Sequence, residues 1–423
     1  MNVKNTETGS ETVFNRYLVV VGALITQVCL GSIYAWSIFQ AALKGAPYNW
    51  DPLLTQLPFS AGLASFAGFM VYAGRLQDRI GPTKVARVGG ILLGAGYILG
   101  SFGEFFSANT TISFLWITLT YGVIGGAGIG FAYVCPIAAL VKWFPEIKGL
   151  ITGIAVAGFG AGALVFAQVE TFLIDLGGGT IGLAFFILGI CYLVAVGGSA
   201  QLLRNPPASW TEKKVDAAKQ ETATDSTVDY EWREMIGTLQ FWLLWVMFVL
   251  AASAGLMTIG NIKSFVQAQN PLIDAIMAAN IVGILSIFNA LGRIAWGALS
   301  DRIGRIITMA TMFAVLGVTM VGFSFQTDLL LLTIGAGIIG FCFGGNFALF
   351  PSTTADFFGT KNVGNNYGFV FTAYGVAGIL GPFIAGWVVM ATGGYTTAFL
   401  ILGVLAFTAL ALAIIAELSQ RKK

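Results

Sequence analysis

GRLQDRIG occupies Gly74 to Gly81, and GALSDRIG occupies Gly297 to Gly304. Gly, Leu, Asp, Arg, Ile and Gly stand at the same places in both. Each copy closes an apolar run of membrane-spanning length, and each run is the second in a series of six. A hydrocarbon core about 30 Å thick needs about 20 mostly apolar residues in a helix. Outward from the two copies, the chain reads as twelve such helices. They are α1 (16–44), α2 (52–74), α3 (83–106), α4 (111–143), α5 (149–173), α6 (180–203), α7 (238–265), α8 (273–298), α9 (306–326), α10 (329–353), α11 (364–391) and α12 (395–416). The one long hydrophilic stretch, 204–237, opens with Arg204, Pro206 and Pro207 and separates the halves 16–203 and 238–416. Polar tails, 1–15 and 417–423, flank them. Two similar halves in one orientation describe parallel repeats about an axis along the membrane normal. Pro136 in α4 and Pro351 in α10 echo the repeat, as do WFPEIKG and FFGTKNVG after those helices.

Composition agrees. Of 423 residues, 57% are hydrophobic and 10% charged, against about 45–50% and about 25% in soluble chains. So few charges cannot cover a water-facing surface, which makes the fold class an all-α membrane protein. A net charge of +2 leaves no basic face for nucleic acid. The absence of histidine excludes His-based triads, metal sites and proton relays. Cys29, Cys135, Cys191 and Cys342 lie in apolar runs without a CxxC pair, against a zinc site or disulfide framework. No metal or other cofactor is expected. The apolar run 17–43 is too long for a signal-peptide core and lacks a small-residue cleavage site, so it reads as a retained helix. With both termini inside, 19 of the 22 Lys and Arg face the cytoplasm, the asymmetry that orients membrane proteins. Lys44 and Lys263 fall outside. The expectation is a monomeric, multi-pass protein of the cell inner membrane.

Arg293 belongs to neither side. It lies eight residues before Asp301, about 12 Å inward at 1.5 Å per residue. An arginine at that depth costs about 2.5–3.5 kcal/mol on insertion scales. A carboxylate can offset this through a bidentate, charge-assisted pair. The rival is a structural arginine that bonds backbone carbonyls or snorkels to the interface. Ser286, Asn289 and Arg293 share one helical face, so α8 turns a polar stripe towards a cavity. Gln27 and Tyr34 share a face of α1, and both can donate to a carboxylate or, equally, to a neighbouring helix. On α10, Phe343 and Phe347 flank Asn346 and offer an apolar wall, or ordinary packing. Gly74, Asp78, Arg79 and Gly81, with Gly297, Asp301, Arg302 and Gly304, read as a conformational motif. The glycines would allow a tight turn and close helix approach. The aspartate would cap a helix, and the arginine would bridge to a neighbouring helix end. Gly122, Gly126 and Gly130 in α4, Gly158 and Gly162 in α5, and Gly378, Gly381 and Gly386 in α11 would bring helices close. No Asp or Glu is expected deep in any helix, and Glu170 is expected at a rim.

The paired motif resembles the signature of the major facilitator superfamily, and the resemblance covers the whole chain. ITQVCLGSIYAWSIF (25–39), KWFPEIKGL (142–150), FGGNFALFPS (343–352) and NNYGF (365–369) are similar to its oxalate/formate antiporter family, itself similar to monocarboxylate transporters. The resemblance implies a secondary transporter that alternates access around a central site between its halves. It implies that Arg293 is a substrate-binding arginine and Tyr133 a cavity tyrosine. Oxalate carriers of the family show Trp and Tyr where this chain has Phe343 and Phe347, and a lysine where it has Tyr374. One cation is then left for the substrate, which argues for a monocarboxylate. Proton-coupled relatives tend to carry an aspartate at the position of Asn289, which cannot titrate. A coupled proton would then bind with the substrate or at a carboxylate such as Glu170, whereas anion exchange needs no such group. The expected function is transport of a small monocarboxylate such as lactate, pyruvate, formate or acetate, by proton symport or anion exchange. Arg293 would hold the carboxylate, Tyr34, Tyr133 and Tyr374 would add hydrogen bonds, and Phe343 and Phe347 would sort substrates by size. The alternatives are a dicarboxylate exchanger of oxalate type and a non-transporting sensor on the same scaffold; an enzyme is not expected.

Overall fold

A computed structural model of the chain describes residues 14–144, 148–207, 229–359 and 363–420. Among these, twelve helices are long and apolar enough to cross a membrane. Their spans are Arg16–Lys44, Leu54–Gln77, Pro82–Phe106, Thr110–Leu140, Gly153–Leu176 and Gly182–Leu202 for α1 to α6. Leu239–Gln269, Ala275–Ile303, Arg305–Phe323, Leu329–Phe358, Asn365–Thr392 and Thr396–Leu418 follow for α7 to α12. Helix number and order are as expected. Most of the linker, 208–228, lies outside the described residues, as do Lys361, the three C-terminal basic residues and the side chain of Asp78.

The repeat is written into the packing. A Cβ on Gly126 would stand 2.3 Å from the Gly62 carbonyl oxygen, and one on Gly130 would stand 2.7 Å from that of Phe66. These contacts press α4 onto α2. In the second half, Gly340 would meet the Leu285 oxygen at 2.3 Å and Gly344 the Asn289 oxygen at 2.0 Å, pressing α10 onto α8. Leu285 and Asn289 stand as far beyond Gly62 and Phe66 in the chain as Gly297 stands beyond Gly74. In lipid, close backbone approach of this kind supplies the dispersion that a hydrophobic effect between helices cannot.

The signature differs from its expected form. It is largely helix rather than loop: α2 continues to Ile80 and α8 to Ile303. Gly81 and Gly304 alone make the turn, at φ of 88° and 93°, where a side chain would strain the backbone. Asp301 therefore sits in the last turn of α8 and caps nothing. Its carboxylate accepts from Arg305 across the glycine, and Arg305 also donates to Asp356 at the end of α10, at 3.0 Å. Arg305 thus makes the bridge expected of Arg302, which is exposed. Gly74 has open space where a Cβ would be, so it brings no helix close here.

Among the described residues the halves meet chiefly through α2 with α11, α5 with α8 and α1 with α7. Between the halves a cavity of about 510 Å³ runs from Arg293 past Gly297 and Pro351 to Asp301 and Arg305, so it opens towards the signature turns. The opposite end is shut by a plug of amides. Gln40 of α1 and Gln56 of α2 both donate to Oδ1 of Asn261 on α7, at 2.7 and 2.8 Å. Ser264 donates to Gln40 at 2.7 Å. All four residues of the plug are buried or half-buried.

Candidate anion site between the halves

α1 is not uniform. Residues Gly31–Ala35 tighten into a 3₁₀ turn. The cause is the neighbour: a Cβ on Gly31 would lie 2.0 Å from the Phe159 carbonyl oxygen of α5. This turn directs Tyr34 to the middle of the molecule, where its hydroxyl meets that of Tyr374 on α11 at 3.0 Å. The pair spans the two halves and is buried on both sides.

Arg293 is 3% exposed. Its Nε donates to Asn289 Oδ1, one turn earlier, at 3.2 Å. Its Cζ lies 4.1 Å from the ring centroid of Phe347 and 5.9 Å from that of Phe159, a cation–π arrangement. Both terminal nitrogens, Nη1 and Nη2, are buried with no hydrogen-bond partner. Among the described residues no acid comes within ion-pair distance of them. Gly160 makes the space, because a Cβ there would stand 3.0 Å from Nε. The hydroxyls of Tyr34 and Tyr133 face the guanidinium closely enough to interact with it as weak acceptors. A box of rings closes around it. Tyr34 lies edge-on to Phe159 and Phe343 at 5.1 and 5.6 Å. Tyr133 lies 5.2 Å from Phe159, and Tyr374 lies 5.5 Å from Phe347.

The structure therefore brings together Arg293, Asn289, Tyr34, Tyr133, Tyr374, Phe343 and Phe347. It spends two other candidates elsewhere. Gln27 donates to the backbone oxygen of Tyr133 at 3.2 Å, tying α1 to α4. Asn346 donates to the Phe343 carbonyl of its own helix at 3.1 Å. Ser286 of the polar stripe likewise bonds the Gly160 carbonyl at 2.6 Å and joins α8 to α5. Phe159, Phe66 and Phe371 complete the box and were not anticipated. Phe159 is hidden in GFGAG, where the glycines carry the visible pattern. Two charged residues are placed differently from expectation. Glu170, expected at a rim, is wholly buried, and Lys263, expected at the outer end of α7, is 8% exposed within the bundle. The reason is length: α5 continues to Leu176 and α7 to Gln269, so both side chains are drawn into the bundle.

Chemically, two terminal guanidinium nitrogens in a ring-lined chamber suit a planar anion with two oxygens. A Tyr–Tyr pair beside them has one hydroxyl proton left to donate.

A family model of the Major Facilitator Superfamily matches residues 18–271 and 258–423. The chain is 36% identical to the uncharacterized MFS-type transporter YhjX of Escherichia coli (strain K12), over 86% of each protein. It is 30% identical to the oxalate:formate antiporter of Oxalobacter formigenes, over 97% of this chain and 94% of that one. It is also 30% identical to monocarboxylate transporter 12 of Rattus norvegicus, over 75% of this chain and 68% of the relative. The twelve-helix chain with its doubled signature belongs to the major facilitator superfamily of transporters. It is a multi-pass membrane protein, and the resemblance to oxalate/formate and monocarboxylate carriers is borne out.

Proposed function

We propose that this protein is a secondary transporter of a small monocarboxylate, with Arg293 as the anion-binding group. One observation carries the reading: a buried arginine whose two terminal nitrogens have no partner, at the inner end of a cavity between two halves. A buried donor left unbonded is costly, and a carboxylate supplies two acceptors and the missing charge at once. Tyr34 and Tyr133 donate to the same anion. Phe343 and Phe347 face its alkyl end, so lactate, pyruvate, acetate and formate are the substrate class. The carrier works as a monomer in the cell inner membrane. The signature turns and both termini are cytoplasmic, which makes the conformation seen here inward-open. The halves 16–203 and 238–416 rock about the site, and the linker holds them on one side of the membrane.

Exchange of oxalate is the second reading, favoured by the 30% identity to an oxalate:formate antiporter along nearly the whole chain. Tyr374 weighs against it, because a second carboxylate opposite Arg293 would meet a phenol that is already paired with Tyr34. Uptake of labelled lactate, pyruvate, formate and oxalate into proteoliposomes decides. Saturable uptake of the monoanions with weak competition by oxalate is expected. Competition by oxalate as strong as that by lactate would overturn the monocarboxylate assignment in favour of the dicarboxylate one.

A further inference from the structure

The cavity at Arg293 has a side as well as a mouth. Besides the residues that lead to the signature turns, it is lined by Gly153 and Val156 of α5 and by Ile294 and Ala298 of α8. α8 packs on α10 through Gly292, where a Cβ would stand 2.0 Å from the Phe341 carbonyl oxygen. At about 100° per residue, Ile294 and Ala298 lie about 120–160° round the helix from that contact. They are therefore on the side of α8 turned away from α10, and both are exposed. Ile294 continues an exposed stripe with Ile287 and Leu291, at i, i+4 and i+7. An apolar stripe exposed on a membrane-spanning helix faces hydrocarbon. The cavity thus reaches from a buried guanidinium to lipid-facing residues.

The side opening lies where α5 and α8 part. Among the described residues the hydrogen bonds between these helices sit at Gly160 or nearer the plug. Ser286 joins the Gly160 carbonyl and the Leu164 N–H, and Gln168 donates to Asn280. Towards the signature end the residues at the gap are small. Gly153 has open space where a Cβ would be, and Ala298 lines the same cavity. Ala298 follows Arg293 by five residues, about 7.5 Å along the helix. The gap therefore falls between the guanidinium and Asp301, at the hydrocarbon depth of one leaflet. At the mouth Asp301 is paired with Arg305, which lessens its repulsion of an entering anion.

We propose that the site also takes amphiphilic monocarboxylates, straight-chain acids of medium length, with the carboxylate on Arg293 and the chain leaving between α5 and α8 into the bilayer. The inference rests on the reading of Arg293 as an anion site and widens the ligands of that site. A short acid keeps its methyl end among Phe343 and Phe347. A longer chain has no room among those rings and takes the gap, where its methylenes leave water for the cavity wall and lipid. The charge complementarity is that of a guanidinium whose terminal nitrogens lack a hydrogen bond of normal geometry. Such a ligand competes with short substrates for the same group.

The test is exchange of labelled lactate at equal pH across proteoliposomes, with unlabelled butyrate, hexanoate, octanoate or octanol as competitor. Because each methylene withdrawn from water strengthens binding, octanoate should compete at least about tenfold better than butyrate in wild type. Octanol, which has the chain without the charge, should compete weakly. Gly153→Leu fills the gap and should leave lactate exchange within about twofold of wild type, with octanoate no better than butyrate. Ala298→Phe blocks the gap from α8 and replaces the first variant if that one folds poorly. A flat series in wild type overturns the proposal, as does octanol equal to octanoate or an unchanged series in both variants. A second measurement needs no transport. An octanoate carrying a photoreactive diazirine at its chain end, added to the protein in nanodiscs, should label α5 and α8 near Gly153 and Ala298, and Arg293→Gln should abolish the labelling. Labelling spread evenly over the lipid-facing helices overturns the proposal. If the probe labels these two helices while no monocarboxylate exchanges, the substrate reading fails and the amphiphile site stands. If lactate exchanges while octanoate competes no better than butyrate, the substrate reading stands and the amphiphile site fails.

Discussion

Arg293 decides the chemistry through what it does not touch. Asn289 fixes one nitrogen and Phe347 lies against the guanidinium, while the two terminal nitrogens make no hydrogen bond of normal geometry and have only the hydroxyls of Tyr34 and Tyr133 near them. Arg293→Gln should lower lactate affinity at least about a hundredfold, the loss expected for a charged hydrogen-bonding partner, while thermal stability falls little. Arg293→Lys should recover only part of it, because a point charge lacks the planar fork. Isothermal titration beside a melting curve separates the two effects; near-normal binding by the Gln variant would dismiss the site. At Tyr374 the expectation is a change of preference. Tyr374→Lys adds a second cation and should raise oxalate affinity relative to lactate, read as competition against labelled lactate. These two positions were legible in the sequence, Arg293 by its depth from Asp301 and Tyr374 by its departure from a family pattern. Their partners were not. The Tyr34–Tyr374 bond joins positions 340 apart in the chain, and no local spacing announces it. Gln27 had the right helix face and the wrong neighbour: the Tyr133 carbonyl reaches its amide first.

At the level of single helices, the glycines divide by what lies across from them. Gly344 faces the Asn289 backbone at a distance that no Cβ tolerates. Gly344→Ala must part α10 from α8 and shift the residue that holds Arg293, costing about 1–3 kcal/mol as overpacking does and weakening substrate binding. Gly74→Ala meets open space and should leave the melting temperature unchanged. Gly304→Ala is strained by its φ of 93°, by about 1–2 kcal/mol. Differential scanning fluorimetry ranks the three. A melting temperature for Gly344→Ala equal to wild type would show that the helix contact is slacker than described. Asp301→Asn is a different case. Its pair with a half-buried Arg305 is i,i+4 and leaves Asp301 itself exposed, so stability should change by less than about 1 kcal/mol, and any effect should fall on transport rate instead of affinity. Helix number, order and doubling could be read from hydropathy, because lipid demands long apolar helices. The ends could not, since a helix continues into polar residues wherever packing holds it, and Glu170 and Lys263 were misplaced for that reason.

For the molecule as a whole, the proposed transport cycle makes the plug and the cavity two ends of one equilibrium. Asn261→Ala removes the acceptor shared by Gln40 and Gln56 and should favour the state open on that side. A cysteine placed near the plug should then react faster with a membrane-impermeant thiol reagent from that face, and one near Pro351 more slowly from the other. Unchanged reactivity at both would mean that the plug does not hold the halves. The bare guanidinium of Arg293 also has an electrical side. It is fixed in α8, so when access turns from one face to the other the aqueous boundary sweeps past a standing positive charge. A full elementary charge moved through the field is worth about 2.3 kcal/mol per 100 mV. With a monoanion seated, that charge is cancelled. On the proposed function, membrane voltage therefore acts on the return of the empty carrier and leaves the loaded crossing almost untouched.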